Sequence, residues 1–295
     1  MKARKGFLFT GCSFTWGQGL YYYSHLDTLQ EPPPDRYFAH YVRPAHIKFM
    51  ESVRFPRIVA NHFNTWELVW KDNGGSNEGI ISNWNRWLQR DPQSFKEFEM
   101  FEHVLDVNEI DTVMVQYTQA SRDGVDFTIR SLRGPIRIQR SLGAILHEPE
   151  YENNGIDLRP LTGKRNLKEI WLSYLESKNI DFETAYNDHV KQSVNRVRDW
   201  AKNLHNKGIK VIVTTWPTEN VAAILEDEFL RSNFLRIYYE GVVYHSMEEL
   251  MRVNKEMTIK TDFDSFQTPP QDHHPSLLCH RVMAKNIIRH IEERS

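Results

Sequence analysis

Apolar and polar positions follow two rhythms along the chain. Short, nearly continuous apolar runs occur at Phe7-Leu8-Phe9 and over residues 66–70, 111–118 and 209–214. Runs of this length, bounded by turn residues, predict strands buried on both faces, as in a parallel sheet. The second rhythm is helical. Phe182, Ala185, Tyr186, His189, Val190, Val194, Val197, Ala201 and Leu204 recur by threes and fours, which predicts one face of a long amphipathic helix. Gly208 closes that helix, and the β-branched run 209–214 follows at once. Helix, short turn and strand together predict a βαβ crossover and a parallel sheet. His189 falls on the apolar face and reads as a core histidine.

Helical patterning also ends a first helix at 57–63, begins again near Ser76 and continues to about residue 103. Further helices are expected over 221–230 and near 247–254. A last one carries Val282, Ala284, Ile287, Ile288 and Ile291 on its apolar face. Residues 21–50 are aromatic and loop-like, stiffened by Pro32-Pro33-Pro34. Residues 123–165 show no strand–helix alternation. Their Arg130, Arg133, Arg137 and Arg140 recur every three to four positions, as a solvated helical stripe or a cap facing an acidic substrate would. This stretch is taken as an insertion over the sheet's carboxyl edge within a single domain spanning 1–295.

Composition narrows the function classes. At 295 residues, 40% hydrophobic and 26% charged, the chain suffices for a full core. A formal charge of −2 leaves no basic footprint for nucleic acid. No apolar run reaches the roughly 18 residues of a membrane helix. Met1-Lys2-Ala3-Arg4-Lys5 has no long apolar stretch behind it, so a signal peptide is not expected. Two cysteines make no disulfide scaffold, and a cytoplasmic location is expected. Eight Trp, twelve Tyr and sixteen Phe are enough to line a groove as well as a core.

The candidate chemistry lies at the two ends. The first strand breaks into Gly11-Cys12-Ser13, a tight turn that presents a serine outside the carboxyl end of a strand, where open α/β sheets place their chemistry. Near the other end, Asp272-His273-His274-Pro275-Ser276 precedes a helix, and an aspartate close before a histidine supplies a base and its orienter. Between them, Asn73-Gly74-Gly75-Ser76-Asn77 puts paired glycines before a helix start, where backbone N–H groups suit an oxyanion.

Gly11-Cys12-Ser13-Phe14-Thr15, Asn73-Gly74-Gly75-Ser76-Asn77 and Asp272-His273-His274-Pro275-Ser276, in this order, resemble the blocks of the SGNH/GDSL hydrolase superfamily of serine esterases and acyl hydrolases. The resemblance implies a three-layer α/β/α sandwich of flavodoxin-like type, with a parallel sheet of about five strands. It implies Ser13 as nucleophile, His274 as general base and Asp272 as orienter. The oxyanion would rest on Ser13, Gly75 and Asn77, with no metal or cofactor. Two departures stand out. The superfamily's aspartate usually lies three residues before its histidine, here two. Its Gly-x-Asn-Asp block after the third strand is replaced by Gln116-Tyr117-Thr118-Gln119-Ala120-Ser121-Arg122. The missing donor is then supplied by Asn77, Thr118 or Gln119, or the oxyanion hole is weaker.

The expected activity is therefore ester hydrolysis, with O-acetyl groups on carbohydrate as the leading substrate. An acyltransferase using the same serine would differ only in its acceptor. Two other readings compete: a sugar-binding protein of the same fold with a weak site, and a divalent-metal cluster of Asp272, His273, His274 and His280.

Overall fold

In the computed structural model, the described residues are 5–17, 20, 44–69, 76–88, 109–131, 134–147, 152–153, 156–157, 166–258 and 275–294. Their strands, in chain order, are β1 (Gly6–Thr10), β2 (Glu67–Val69), β3 (Ile110–Tyr117), β4 (Gly124–Ser131) and β5 (Gly134–Ser141). Then come β6 (Glu152–Asn153), β7 (Ile156–Asp157), β8 (Lys210–Thr215), β9 (Ile237–Tyr239) and β10 (Val242–Tyr244). The early helices are α1 (Ser13–Trp16), α2 (Pro44–Val53), α3 (Phe55–His62), α4 (Asn77–Leu88), α5 (Leu142–His147) and α6 (Leu167–Ser177). The later ones are α7 (Phe182–Asn206), α8 (Val221–Glu226), α9 (Glu228–Ser232), α10 (Met247–Val253) and α11 (Leu277–Glu292).

Four strands form one sheet in the order β2-β1-β3-β8, every pair parallel. Alternate side chains of the same strands enter two different cores. Leu8, Val113, Val115, Val211 and Val213 pack with α4, α7, α8 and α9. Phe7, Phe9, Met114 and Ile212 pack with α3, α10 and α11. The period-two alternation of side chains thus divides a near-continuous apolar run between two layers of helices. The result is an α/β sandwich with helices on both faces. Beyond β8, Val213 pairs in parallel with Phe234 through a single bridge, where Leu235 N–H donates to Val213 O at 2.7 Å.

The long helix α7 buries His189, Val190, Val194, Val197, Ala201 and Leu204, as its spacing predicts. Gly208, at φ +82°, lets the chain reverse into β8. Where the described elements differ from expectation, local chemistry explains it. A helix starts at Pro44 inside the stretch expected to be loop-like, because proline's missing N–H and fixed φ suit the first helical turn. Residues 21–43 lie outside the described residues. The helix expected over 221–230 is divided at Asp227, whose carboxylate caps a new helix by accepting the Leu230 N–H. The aromatic pair Tyr238-Tyr239 belongs to a hairpin turned by Glu240 and Gly241, both with positive φ.

The largest correction concerns the arginine-rich insertion. Residues 124–131 and 134–141 pair as the antiparallel strands β4 and β5 and form no helix. Phe127 and Ile138 face a third core shared with α5 and α6. Arg130 and Arg137 point to solvent from the opposite face, and Arg137 grips Asp126. Arg140, an odd number of residues from Arg137, falls on the inner, half-buried face. The three-to-four spacing is therefore no helical stripe: a period of two sorts these arginines onto both faces. Arg133 lies outside the described residues. Among the described residues no helix is long and apolar enough to cross a membrane.

Candidate functional site

The chain leaves β1 for β2 on one side and builds β3 and β8 on the other, so the order reverses between β1 and β3. In doubly wound sheets the crevice outside this point receives ligands. Ser13 stands there as the first residue of α1, three residues past the end of β1. The turn is tightly built. A Cβ on Gly11 would lie 2.2 Å from the Thr15 Oγ1 and 3.0 Å from the Gln116 Cβ, so no larger residue fits. The Thr15 hydroxyl donates to Gln116 Oε1 at 2.5 Å, and the Gln116 amide reaches the Met247 Sδ at 2.8 Å. The Phe14 ring packs on Trp216, centroids 4.5 Å apart. One short helix is thereby pinned to the ends of β3 and β8 and to α10.

The segment after β3 is held as firmly. Asn77 Oδ1 accepts the Thr118 N–H at 2.8 Å, and Asn77 Nδ2 donates to Thr118 O at 3.1 Å and to Ser193 Oγ at 2.8 Å. Asn220 Nδ2 adds a second donor to Thr118 O at 2.8 Å. Two positions on, the Ala120 N–H donates to Glu219 Oε1 at 2.7 Å, and His189 Nε2 donates to Ala120 O at 2.8 Å. The Tyr186 hydroxyl donates to the other Glu219 oxygen; burial, then that contact, holds its pKa well above the usual tyrosine range. Gln119 sits between the two clamped peptide units, half-buried, and its amide bonds to no described residue.

Asn77 is fully buried, and both of its amide hydrogens are engaged. It ties α4 to β3 and α7, so an oxyanion donor at this position requires one of those bonds to break. The N–H groups next along α4 are also taken. Glu78 N–H donates to Asp123 Oδ1 at 3.0 Å and Gly79 N–H to the capping Ser76 Oγ at 2.9 Å. Asp123 also accepts from the Ser193 hydroxyl, and burial raises its carboxyl pKa above the usual range. Gly75 lies outside the described residues. Thr118 Oγ1, fully buried, has no hydrogen-bond partner among them.

This polar network is the part of the site that sequence reasoning missed. Its signal was present in α7, where Tyr186, His189 and Ser193 at i, i+3 and i+7 place polar groups on an otherwise apolar face.

Asp272, His273 and His274 lie outside the described residues. The next residues show how the block is anchored. Pro275 bridges Thr258, Ser276 N–H donates to Met257 O at 2.7 Å, and the Ser276 hydroxyl caps α11. Within the first turn, His280 Nδ1 accepts the Phe55 N–H at 3.2 Å and stacks on its ring at 5.4 Å. Phe55 in turn meets Phe9 of β1 at 5.9 Å. The start of α11 therefore reaches β1 through Phe55, the first residue of α3. Cys12 and Cys279 are both buried, and burial pushes the Cys279 thiol up to about 12, which keeps it protonated and inert. Among the described residues no group of three or more His, Cys, Asp or Glu is placed to hold a metal.

No protein-family model matches this chain significantly, and neither a curated protein nor a solved structure does.

Proposed function

We propose that the protein is a serine hydrolase that cleaves an ester, with O-acetylated carbohydrate as the substrate class, through an acyl-enzyme on Ser13. The reading rests on the resemblance to SGNH/GDSL hydrolases. One structural observation supports it above the others: Ser13 opens α1 at the switch point of a parallel sheet, past the end of β1, the strand to which Phe55 links the first turn of α11 just after the His274 block. In this reading His274 takes the Ser13 proton as the hydroxyl attacks the acyl carbon, and Asp272 orients the imidazole. The imidazolium returns the proton to the leaving alkoxide, and water repeats the sequence to release the acid. Backbone N–H groups of Ser13 and Gly75 hold the oxyanion. Because the Asn77 amide is engaged elsewhere, we assign the side-chain donor to Gln119.

The test needs no substrate. Wild type, Ser13→Ala and His274→Ala are treated with a fluorophosphonate probe, and intact mass is recorded. One adduct on wild type, absent from both variants, is expected. A folded wild type that takes no adduct overturns the reading and leaves a sugar-binding protein of the same fold. Hydrolase and acyltransferase are then separated by whether an added sugar alcohol captures the acyl group in place of water.

A further inference from the structure

A groove of about 580 Å³ runs along the outer side of α11, between α3 and the β9–β10 hairpin. This volume is within the range of small-ligand sites. Its floor is apolar, formed by Ile58, Ala284 and Ile288. Its wall is the hairpin, and the wall is fixed. Asn286, 3% exposed, accepts the Tyr238 N–H at 2.9 Å and donates to Tyr238 O at 3.1 Å. The Arg289 guanidinium lies 3.9 Å from the centroid of the Tyr238 ring, yet Tyr238 remains 42% exposed.

The rim carries charge. Arg281, Lys285 and Arg289 are spaced by four on α11, so they stand one above another on one helix face. Arg289 is occupied by Tyr238, Asn286 and Glu293. Of the acids lining the groove, Glu292 holds His62 at 2.9 Å, and Glu240 sits at the turn of the hairpin beside Tyr239. Arg281 and Lys285 are exposed and have no ion-pair partner among the described residues. Two unmatched cations beside a rigid aromatic wall sit on a protein whose formal charge is −2.

We propose that this groove binds an anionic sugar chain, with a pyranose ring against Tyr238 and an acidic substituent between Arg281 and Lys285. An aromatic face packs on the apolar face of a sugar, and paired cations recognise its carboxylate or sulfate. The choice of a sugar over other anions rests on the carbohydrate-ester reading above. The groove also has a direction that suits a polymer. Arg281 lies five residues past the Ser276 cap and Glu292 eleven further, so at 1.5 Å per residue the groove extends about 16 Å along the helix that follows His274. A chain seated there approaches the candidate site end-on, and occupancy of both places raises the effective concentration of the scissile ester.

The full chain is titrated calorimetrically with oligogalacturonate, a heparin-derived oligosaccharide and neutral maltohexaose, at low and high salt. Binding of an acidic oligosaccharide that weakens with salt is expected, with no heat from maltohexaose. The two acidic ligands distinguish carboxylate from sulfate. Arg281→Glu/Lys285→Glu should weaken binding by roughly tenfold or more, because each reversal replaces attraction by repulsion. Tyr238→Ala should weaken it for both acidic ligands. Equal affinity for maltohexaose, or unchanged affinity after charge reversal, overturns the proposal. Because Arg281 and Lys285 are exposed, the reversal variant should still take the fluorophosphonate on Ser13. Ser13→Ala should bind the acidic chain like wild type, so failure of the groove and failure of the esterase reading are read separately.

Discussion

Asn77 and the Thr118 peptide unit grip each other at two points: the Asn77 carbonyl accepts the Thr118 N–H at 2.8 Å while its amide donates to the Thr118 carbonyl at 3.1 Å. A side chain here does what a neighbouring strand would do and continues the pairing of β3 past its last ladder residue. Both groups are fully buried, so neither has water as an alternative. Asn77→Ala orphans the Thr118 N–H and removes a donor from Ser193. A loss of about 2–4 kcal/mol is expected by urea denaturation, since an unsatisfied buried group costs more than a bond returns. A change below about 0.5 kcal/mol, the scale of ordinary surface substitutions, would show that the clamp does not stabilise the fold.

Much of the layered architecture could be read from the chain, and the reason is periodicity. Runs such as Phe7-Leu8-Phe9 and the α7 face report burial directly, because each apolar side chain must find a core. The β4–β5 hairpin escaped because four arginines at three-to-four spacing imitate a helix, while the alternation of Val125, Phe127 and Ile129 with polar neighbours is the signal that decides it. The Ser13 turn was visible because glycine punctuates it. The clamp behind it was not. Asn77 and Ser193 are 116 residues apart, and nothing local to either reports the other.

Gly11 gives a steric test of the turn that presents Ser13. A methyl group there meets the Thr15 hydroxyl at 2.2 Å, a distance no Cβ tolerates, and Thr15 is itself buried against Gln116. Gly11→Ala must displace α1. It should destabilise by about 1–3 kcal/mol, the usual range for overpacking, and slow fluorophosphonate labelling of Ser13. Thr15→Ser keeps the hydroxyl and loses only a methyl, so it should label near the wild-type rate. Unchanged labelling in Gly11→Ala would mean that the turn does not set the position of Ser13.

His290 gives the protein an acid-sensitive point remote from the candidate site. It lines a cavity of about 130 Å³ beside Lys210, His205 and Arg294, near the amino ends of β3 and β8. Burial, then Arg294 and Arg289, lower its pKa from 6.5 to about 4. Between those values the unfolded chain takes a proton that the folded chain refuses, so stability falls as pH drops from 6.5 toward 4 and is level above. The loss at pH 5 should be on the order of 1 kcal/mol, allowing for solvent screening. His290→Gln should flatten that slope in urea titrations at pH 7.5 and pH 5. The same slope in both proteins would place the acid sensitivity elsewhere.

Gln119 is the residue on which the proposed chemistry turns. Four side chains, Asn77, Asn220, Glu219 and His189, fix the peptide units on either side of it, and its own amide is uncommitted among the described residues. The clamp fixes the backbone from which this side chain projects, and loss of one oxyanion donor lowers turnover by ~10²–10³. Gln119→Ala should therefore keep the wild-type urea midpoint, because the clamp remains, while kcat on p-nitrophenyl acetate falls by about that factor with KM nearly unchanged. Asn220→Ala is the contrasting case: it loosens the clamp and should lower stability and turnover together. If wild type labels with fluorophosphonate and Gln119→Ala turns over at the wild-type rate, the oxyanion rests on backbone N–H groups alone and Gln119 has no part in it.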